Sequence, residues 1–164
     1  MDKIFTIDQS QLSEMSFVEL VGCIFIRSQV IEQLMRQLLE SHGEYVVPSD
    51  FERKTFGALL IDFVKLYPEI KIPEHANFPD MTLYSSLKNA KDVRNDAAHG
   101  YHLVGLGVAQ MLDGYGLKAE IDRFNLRAVQ KGLKAVDMCI FELFEFIENN
   151  KLDINLSRPE SQPE

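Results

Sequence analysis

The chain has 164 residues and a net charge of −8, from 17 Lys and Arg against 25 Asp and Glu, with 46% hydrophobic and 26% charged residues. That length carries one domain with a core of its own, and the composition fits a folded globular chain. The acidity excludes a protein that coats nucleic acid through bulk charge, though not one with a local basic strip.

Two cysteines, Cys23 and Cys139, are too few and too far apart for a disulfide ladder or a zinc framework. Both stand among apolar residues and are expected in the core, and a reducing cytoplasm is the expected setting. The opening residues contain no apolar stretch of signal-peptide length, and no run approaches the length of a membrane span.

Residues 1–12 read as an irregular lead-in. Ser16 and Glu19 have capping-box spacing and open a long helix. Val18, Val21, Ile24, Phe25, Ser28, Ile31 and Met35 give it a face at spacings of three and four, and Gly43 is a natural stop. Ser49 and Glu52 repeat the box after Pro48 and open a second helix with Phe56, Leu59, Leu60, Phe63 and Leu66 as its stripe. Pro68, Pro73 and Pro79 mark a loop.

A third helix is expected from Asp80, a good N-cap, to Gly100, with Leu83, Leu87, Ala90, either Val93 or Arg94, and Ala97 following helical spacing. Residues 101–116 carry four glycines within an apolar segment and fit a loop, a short helix or a hairpin equally well. The last helix runs from about Ile121 to Asn149, with Phe124, Val129, Leu133, Val136, Ile140, Leu143, Phe144 and Ile147 on its inner face. The reading is all-α, with four main helices in one domain over 1–150 and a flexible polar tail over 151–164. Glycines 105 and 107 form no phosphate loop, because no lysine–hydroxyl pair or strand–helix context follows them.

One segment says more than "helical bundle". Residues 88–101, KNAKDVRNDAAHGY, place Arg94, Asn95 and His99 at the end of a helix. Lys88, Lys91 and Arg94 make a basic edge at three-residue steps, and Ala97 and Ala98 allow a second helix to come close. Asn95 and His99, four apart, share a face. Arg94 and His99 are five apart, about 140° around the helix, so they join in one site either by a swing of the long arginine or across a two-fold axis between two copies.

The residue types suit phosphodiester chemistry. Arginine clamps phosphate oxygens and keeps its charge. Histidine titrates near neutrality and serves as general acid or base. In RNA the 2′-hydroxyl attacks the neighbouring phosphorus, and arginine stabilises the charge that develops. No metal and no cofactor is called for, since no His, Asp or Glu cluster has ligand spacing.

Residues 94–99, RNDAAH, resemble the R-x4-H motif of HEPN domains (higher eukaryotes and prokaryotes nucleotide-binding domains), with the polar Asn95 after the arginine as is common there. His99-Gly100-Tyr101 extends this to R-x4-H-x-Y, which resembles the HEPN toxins paired with a minimal nucleotidyltransferase antitoxin. The resemblance implies an up-and-down four-helix bundle with the motif late in the third helix. It implies a homodimeric, metal-independent endoribonuclease with Arg94, His99 and Asn95 in the composite site. It also implies a nucleotidyltransferase antitoxin that adenylylates the motif tyrosine, here Tyr101. Lys88 and Lys91 are the expected substrate contacts.

Plainer readings stand beside this one. His99 suits a helix C-terminus through the dipole, and Arg94 fits an ion pair with Glu32 or Glu40 on the first long helix. Tyr101 also fits a core or interface position. His102, next to the motif, reads as a solvated surface residue, His42 and His75 as loop residues with no assigned role, and the phenylalanines of residues 141–146 as core or dimer surface. The alternative functions are a catalytically silent HEPN-like module that binds a nucleotide or a protein, and a helical regulator with no active site.

Overall fold

The computed structural model describes residues 9–73, 82–99, 118–152 and 154, with the backbone alone at 9–11, 99 and 118–125. Among these, the chain is an all-α bundle: α1 (Gln9–Glu14), α2 (Phe17–Ser41), α3 (Phe56–Leu66), α4 (Leu83–His99) and α5 (Lys118–Asn149), with 3₁₀ turns at Phe51–Arg53 and Pro68–Lys71. The long α5 lies against both α2 and α4, which touch each other, and α3 packs on α2 and α4.

The first capping box forms as its spacing requires. Ser16 Oγ accepts from the Glu19 amide at 3.3 Å, and the Ser16 amide and hydroxyl both donate to the Glu19 carboxylate at 2.7 Å. The bond from the serine hydroxyl, then that from its amide, holds the Glu19 carboxyl below its usual range. The helix ends at Ser41 with His42 as cap, its amide on the Leu39 carbonyl at 3.2 Å, one residue before the expected glycine.

The core is built from facing stripes. Ile24, Ile31, Met35, Leu38 and Leu39 of α2 meet Leu59 and Phe63 of α3, Leu87 and Ala90 of α4, and Leu133, Val136, Ile140 and Leu143 of α5. Cys139 is buried and Cys23 half-buried against the same core. Burial pushes the Cys139 thiol up, and Glu142 adds to this. Arg27 and Asp137 pair across α2 and α5 with both side chains mostly covered. Gly132 of α5 permits a close approach of α4: a Cβ there would stand 2.9 Å from Val93 Cγ1.

Several expectations need correction. Val18 is 77% exposed, because it lies about 200° around the helix from Leu20, which takes its place in the core. Residues 9–14 of the lead-in are helical. The second helix starts at Thr55 rather than Ser49, and the Asp50 side chain makes no cap bond at the intervening turn. The cause is tertiary. The buried Arg36 of α2 donates Nη1 to the Phe51 carbonyl and Nη2 to the Lys54 carbonyl at 2.7 Å, oxygens that a continuous helix would offer to residues 55 and 58. Thr55 Oγ1 then caps the Ala58 amide at 3.4 Å.

On the third helix the cap falls to Thr82, whose hydroxyl accepts from the Ser85 amide at 3.0 Å while Ser85 Oγ accepts from the Thr82 amide at 3.0 Å. Asp80 and Gly100 lie outside the described residues.

The phenylalanines of the 141–146 run divide. Phe141 is 63% exposed, whereas Phe146 sits edge-on to Tyr67 with centroids 5.7 Å apart. The tail begins folded. Lys151 adopts φ 52°, its amide reaches the Glu148 carbonyl at 3.2 Å and the Leu152 amide reaches the Ile147 carbonyl at 3.0 Å. This is a Schellman closure, and it lays Leu152 and Ile154 against the core. Residues 155–164, and the ambiguous 101–116, are outside the described residues.

Candidate functional site

The basic segment lies on α4, whose inner face is Leu83, Leu87, Ala90, Val93 and Ala97, all buried. With those residues inward, Lys88 and Asn95 stand exposed, and Lys91 and Arg94 are half-buried on the flank. At 3.6 residues per turn Lys88, Asn95 and His99 fall within about 20° of one line on the outer face, and Arg94 lies about 120° from Lys88. His99 is the last described residue of α4, and Tyr101 lies beyond the described residues.

Arg94 turns toward α2. Its Cζ lies 5.9 Å from the centroid of the Phe25 ring, and Nη1 donates to Oδ1 of Asn95 at 3.3 Å. That is the one hydrogen bond its guanidinium makes among the described residues. The expected ion pair with an acid of the first long helix does not form: neither Glu32 nor Glu40 is within pairing distance. Glu32 still feels the arginine. Burial raises its carboxyl, and the charges of Arg94 and Arg36 pull it back in part. Glu32 also borders a shallow groove on the outside of α2 with Ile26, Gln29 and Arg36.

Lys88 and Lys91 do not join Arg94. They line a separate cleft of about 460 Å³ with Lys65 of α3, Lys71 of the second 3₁₀ turn, Tyr84, and an apolar floor that includes Leu60 and Val64. Lys71 Nζ stands 5.2 Å from the Tyr84 ring centroid. Lys91 bonds Asp92 at 2.8 Å, and Lys65 reaches Asp62 at 3.5 Å. Gly57 leaves room for the stem of Lys91, whose Cδ would lie 3.7 Å from a Cβ at that position.

The basic edge legible on α4 is therefore divided. Arg94 serves the α2 side and the two lysines serve the α3 side. Sequence reasoning missed Lys65, Lys71 and Tyr84. Tyr84 had a local signal, being four residues before Lys88 on one helix face. Lys65 and Lys71 had none, since only the packing of α3 and the following turn on α4 brings them there.

Chemically, the α4 surface offers a guanidinium with one hydrogen bond among the described residues, an exposed amide beside it, and ammonium groups on the α3 side. No group of three or more His, Cys, Asp or Glu able to hold a metal occurs among the described residues, and no helix among them is long and apolar enough to cross a membrane. No family model, curated protein or solved structure matches the chain.

Proposed function

We propose that this chain is a metal-independent endoribonuclease of HEPN type, working in the cytoplasm as a homodimer with Arg94, His99 and Asn95 in a composite site. The observation that carries the reading is Arg94. It stands beside the packed inner face of α4, five residues before His99, half-buried, with Asn95 as the one hydrogen-bond partner of its guanidinium among the described residues. The all-α bundle is compatible with this reading, and the R-x4-H-x-Y run, which resembles the HEPN motif, points the same way.

In the proposed reaction His99 takes the proton of an RNA 2′-hydroxyl as that oxygen attacks the adjacent phosphorus. The bond from phosphorus to the 5′-oxygen breaks, and a protonated histidine supplies the leaving oxygen with its proton. A 2′,3′-cyclic phosphate and a 5′-hydroxyl result. Arg94 stabilises the charge on the pentavalent phosphorus, and Asn95 hydrogen-bonds a phosphate or sugar oxygen. The angular offset between Arg94 and His99 favours a site completed by a second copy. A nucleotidyltransferase antitoxin acting on Tyr101 would silence the enzyme.

His99→Ala and Arg94→Ala decide the matter. Each is expected to keep the dimer and its melting temperature while RNA cleavage in the presence of a chelator falls by about a hundredfold or more. Cleavage unchanged in both variants overturns the proposal. It would leave the silent HEPN-like module, which the net charge of −8 favours, or the helical regulator.

A further inference from the structure

We propose that the cleft between α3, the Pro68–Lys71 turn and α4 holds the phosphates of a single RNA strand, upstream or downstream of the bond to be cut. The choice of RNA as occupant rests on the nuclease reading. The anion site itself rests on the cleft alone.

Charge comes first. Four of the ten lysines in a chain of net charge −8 converge here: Lys65, Lys71, Lys88 and Lys91. Like charges brought together oppose folding unless an anion offsets them. Asp62 and Asp92 answer Lys65 and Lys91, but Asp62 is shared with Lys54. Among the described residues no carboxylate lies within ion-pair distance of Lys71 or Lys88.

Shape comes second. The volume of about 460 Å³ is that of a small-ligand pocket, with an apolar floor and polar groups at the rim. The Tyr84 ring under Lys71 restrains that ammonium, which lowers the entropy lost when it meets a phosphate. Ammonium groups act as point charges without the fork geometry of arginine, so they hold a backbone whatever its sequence.

Placement comes third. Lys88 starts the outer row of α4 that runs through Asn95 to His99, about 16 Å along the helix axis. A strand seated in the cleft continues along that row to the motif without crossing the apolar core. This assigns Lys65, Lys71 and Tyr84 to RNA binding beside Lys88 and Lys91.

The test is fluorescence anisotropy of the full chain with a short single-stranded RNA carrying 2′-O-methyl groups, which cannot cyclise, titrated across salt concentrations. Lys71→Gln/Lys88→Gln is expected to weaken binding by about tenfold at low salt. It is also expected to flatten the log–log salt slope by about 1.4, or about 0.7 for each phosphate no longer neutralised. Lys131→Gln/Lys134→Gln, on the exposed face of α5, serves as the control and is expected to stay within about twofold. Tyr84→Ala is expected to weaken binding and Tyr84→Phe to preserve it.

The proposal is overturned if the 71/88 variant keeps the wild-type slope or loses no more affinity than the control. It is overturned also if those two lysines bind inorganic pyrophosphate but make no difference to RNA. A wild type that shows the slope difference yet cuts no RNA sinks the nuclease reading and leaves the cleft standing. A 71/88 variant that binds and cuts as wild type sinks the cleft and leaves the nuclease reading.

Discussion

Two arginines in this protein each lie against a phenylalanine, and they are used in opposite ways. Arg36 is buried, 5.5 Å from the Phe51 ring centroid, and its fork holds the carbonyls of Phe51 and Lys54. Arg94 is half-buried, 5.9 Å from the Phe25 centroid, and bonds only its neighbour Asn95 among the described residues. The first serves architecture: it fixes where α3 can begin. The second has a ring contact and, among the described residues, a single hydrogen bond to its neighbour, which leaves it free of any such architectural duty there.

Removing each arginine should separate the two roles most sharply. Arg36→Met is expected to cost about 3 kcal/mol, because two charged hydrogen bonds are lost at a buried corner: the Lys54 carbonyl loses its guanidinium donor, and the Phe51 carbonyl keeps only the Lys54 amide. Chemical denaturation would measure it. Arg94→Met is expected to alter stability by no more than about 0.5 kcal/mol while the proposed RNA cleavage is lost. A comparable loss of stability in both variants would make Arg94 a second structural arginine and end the contrast.

The corner around Arg36 extends through Lys54, whose ammonium bonds Asp62, which also accepts from the Tyr45 hydroxyl at 2.9 Å. Burial pushes the Asp62 carboxyl up, but hydrogen bonds from Lys54 and Tyr45, with the charges of Lys54 and Lys65, outweigh it and hold the carboxyl below its usual range. Asp62→Asn is expected to cost about 1–2 kcal/mol at neutral pH. The sign with pH follows. A lowered folded-state value gives stability that is full above the unfolded carboxyl range, near about 4, and lost as pH falls through the lower folded value. Thermal melts of wild type and variant should therefore converge in acid.

Glu32 lies between the two arginines in charge, and it titrates the other way. Its carboxyl is raised, so folding is penalised once it ionises. The penalty is absent below the unfolded carboxyl range and complete above the folded value. Glu32→Gln is expected to melt slightly higher than wild type at pH 7, with the gap closing toward pH 4. A lower melting temperature at pH 7 would mean that Arg94 and Arg36 depend on this carboxylate more than burial opposes it.

Much of the architecture was legible because it is local. The Ser16 box and the stripes of Leu59, Phe63, Leu133, Ile140 and Leu143 follow from spacing alone. What was not legible depends on distant partners. Ser49 and Glu52 had the right residues for a cap, but the Arg36 fork overrode them from α2. Lys88 and Lys91 looked like companions of Arg94 because they share a helix, and they belong instead with Lys65 and Lys71. Lys151 sits at a left-handed position where glycine is usual, and only the docking of Leu152 explains it. Within the candidate site, Arg94, Asn95, Lys88 and Lys91 were legible by type, while the direction each faces came from which helix packs beside α4.

The missing methyl at Gly132 has an evolutionary consequence. Val93 occupies the space that a Cβ at 132 would need, and Val93 is the residue before Arg94. Positions 93 and 132 are therefore not free to vary separately. Descendants of this chain that gain alanine at 132 are expected to trim valine 93, and those that enlarge residue 93 to retain the glycine. A pair of sites in the core thus keeps the Arg94 segment at a constant depth on the bundle while surface residues around it drift.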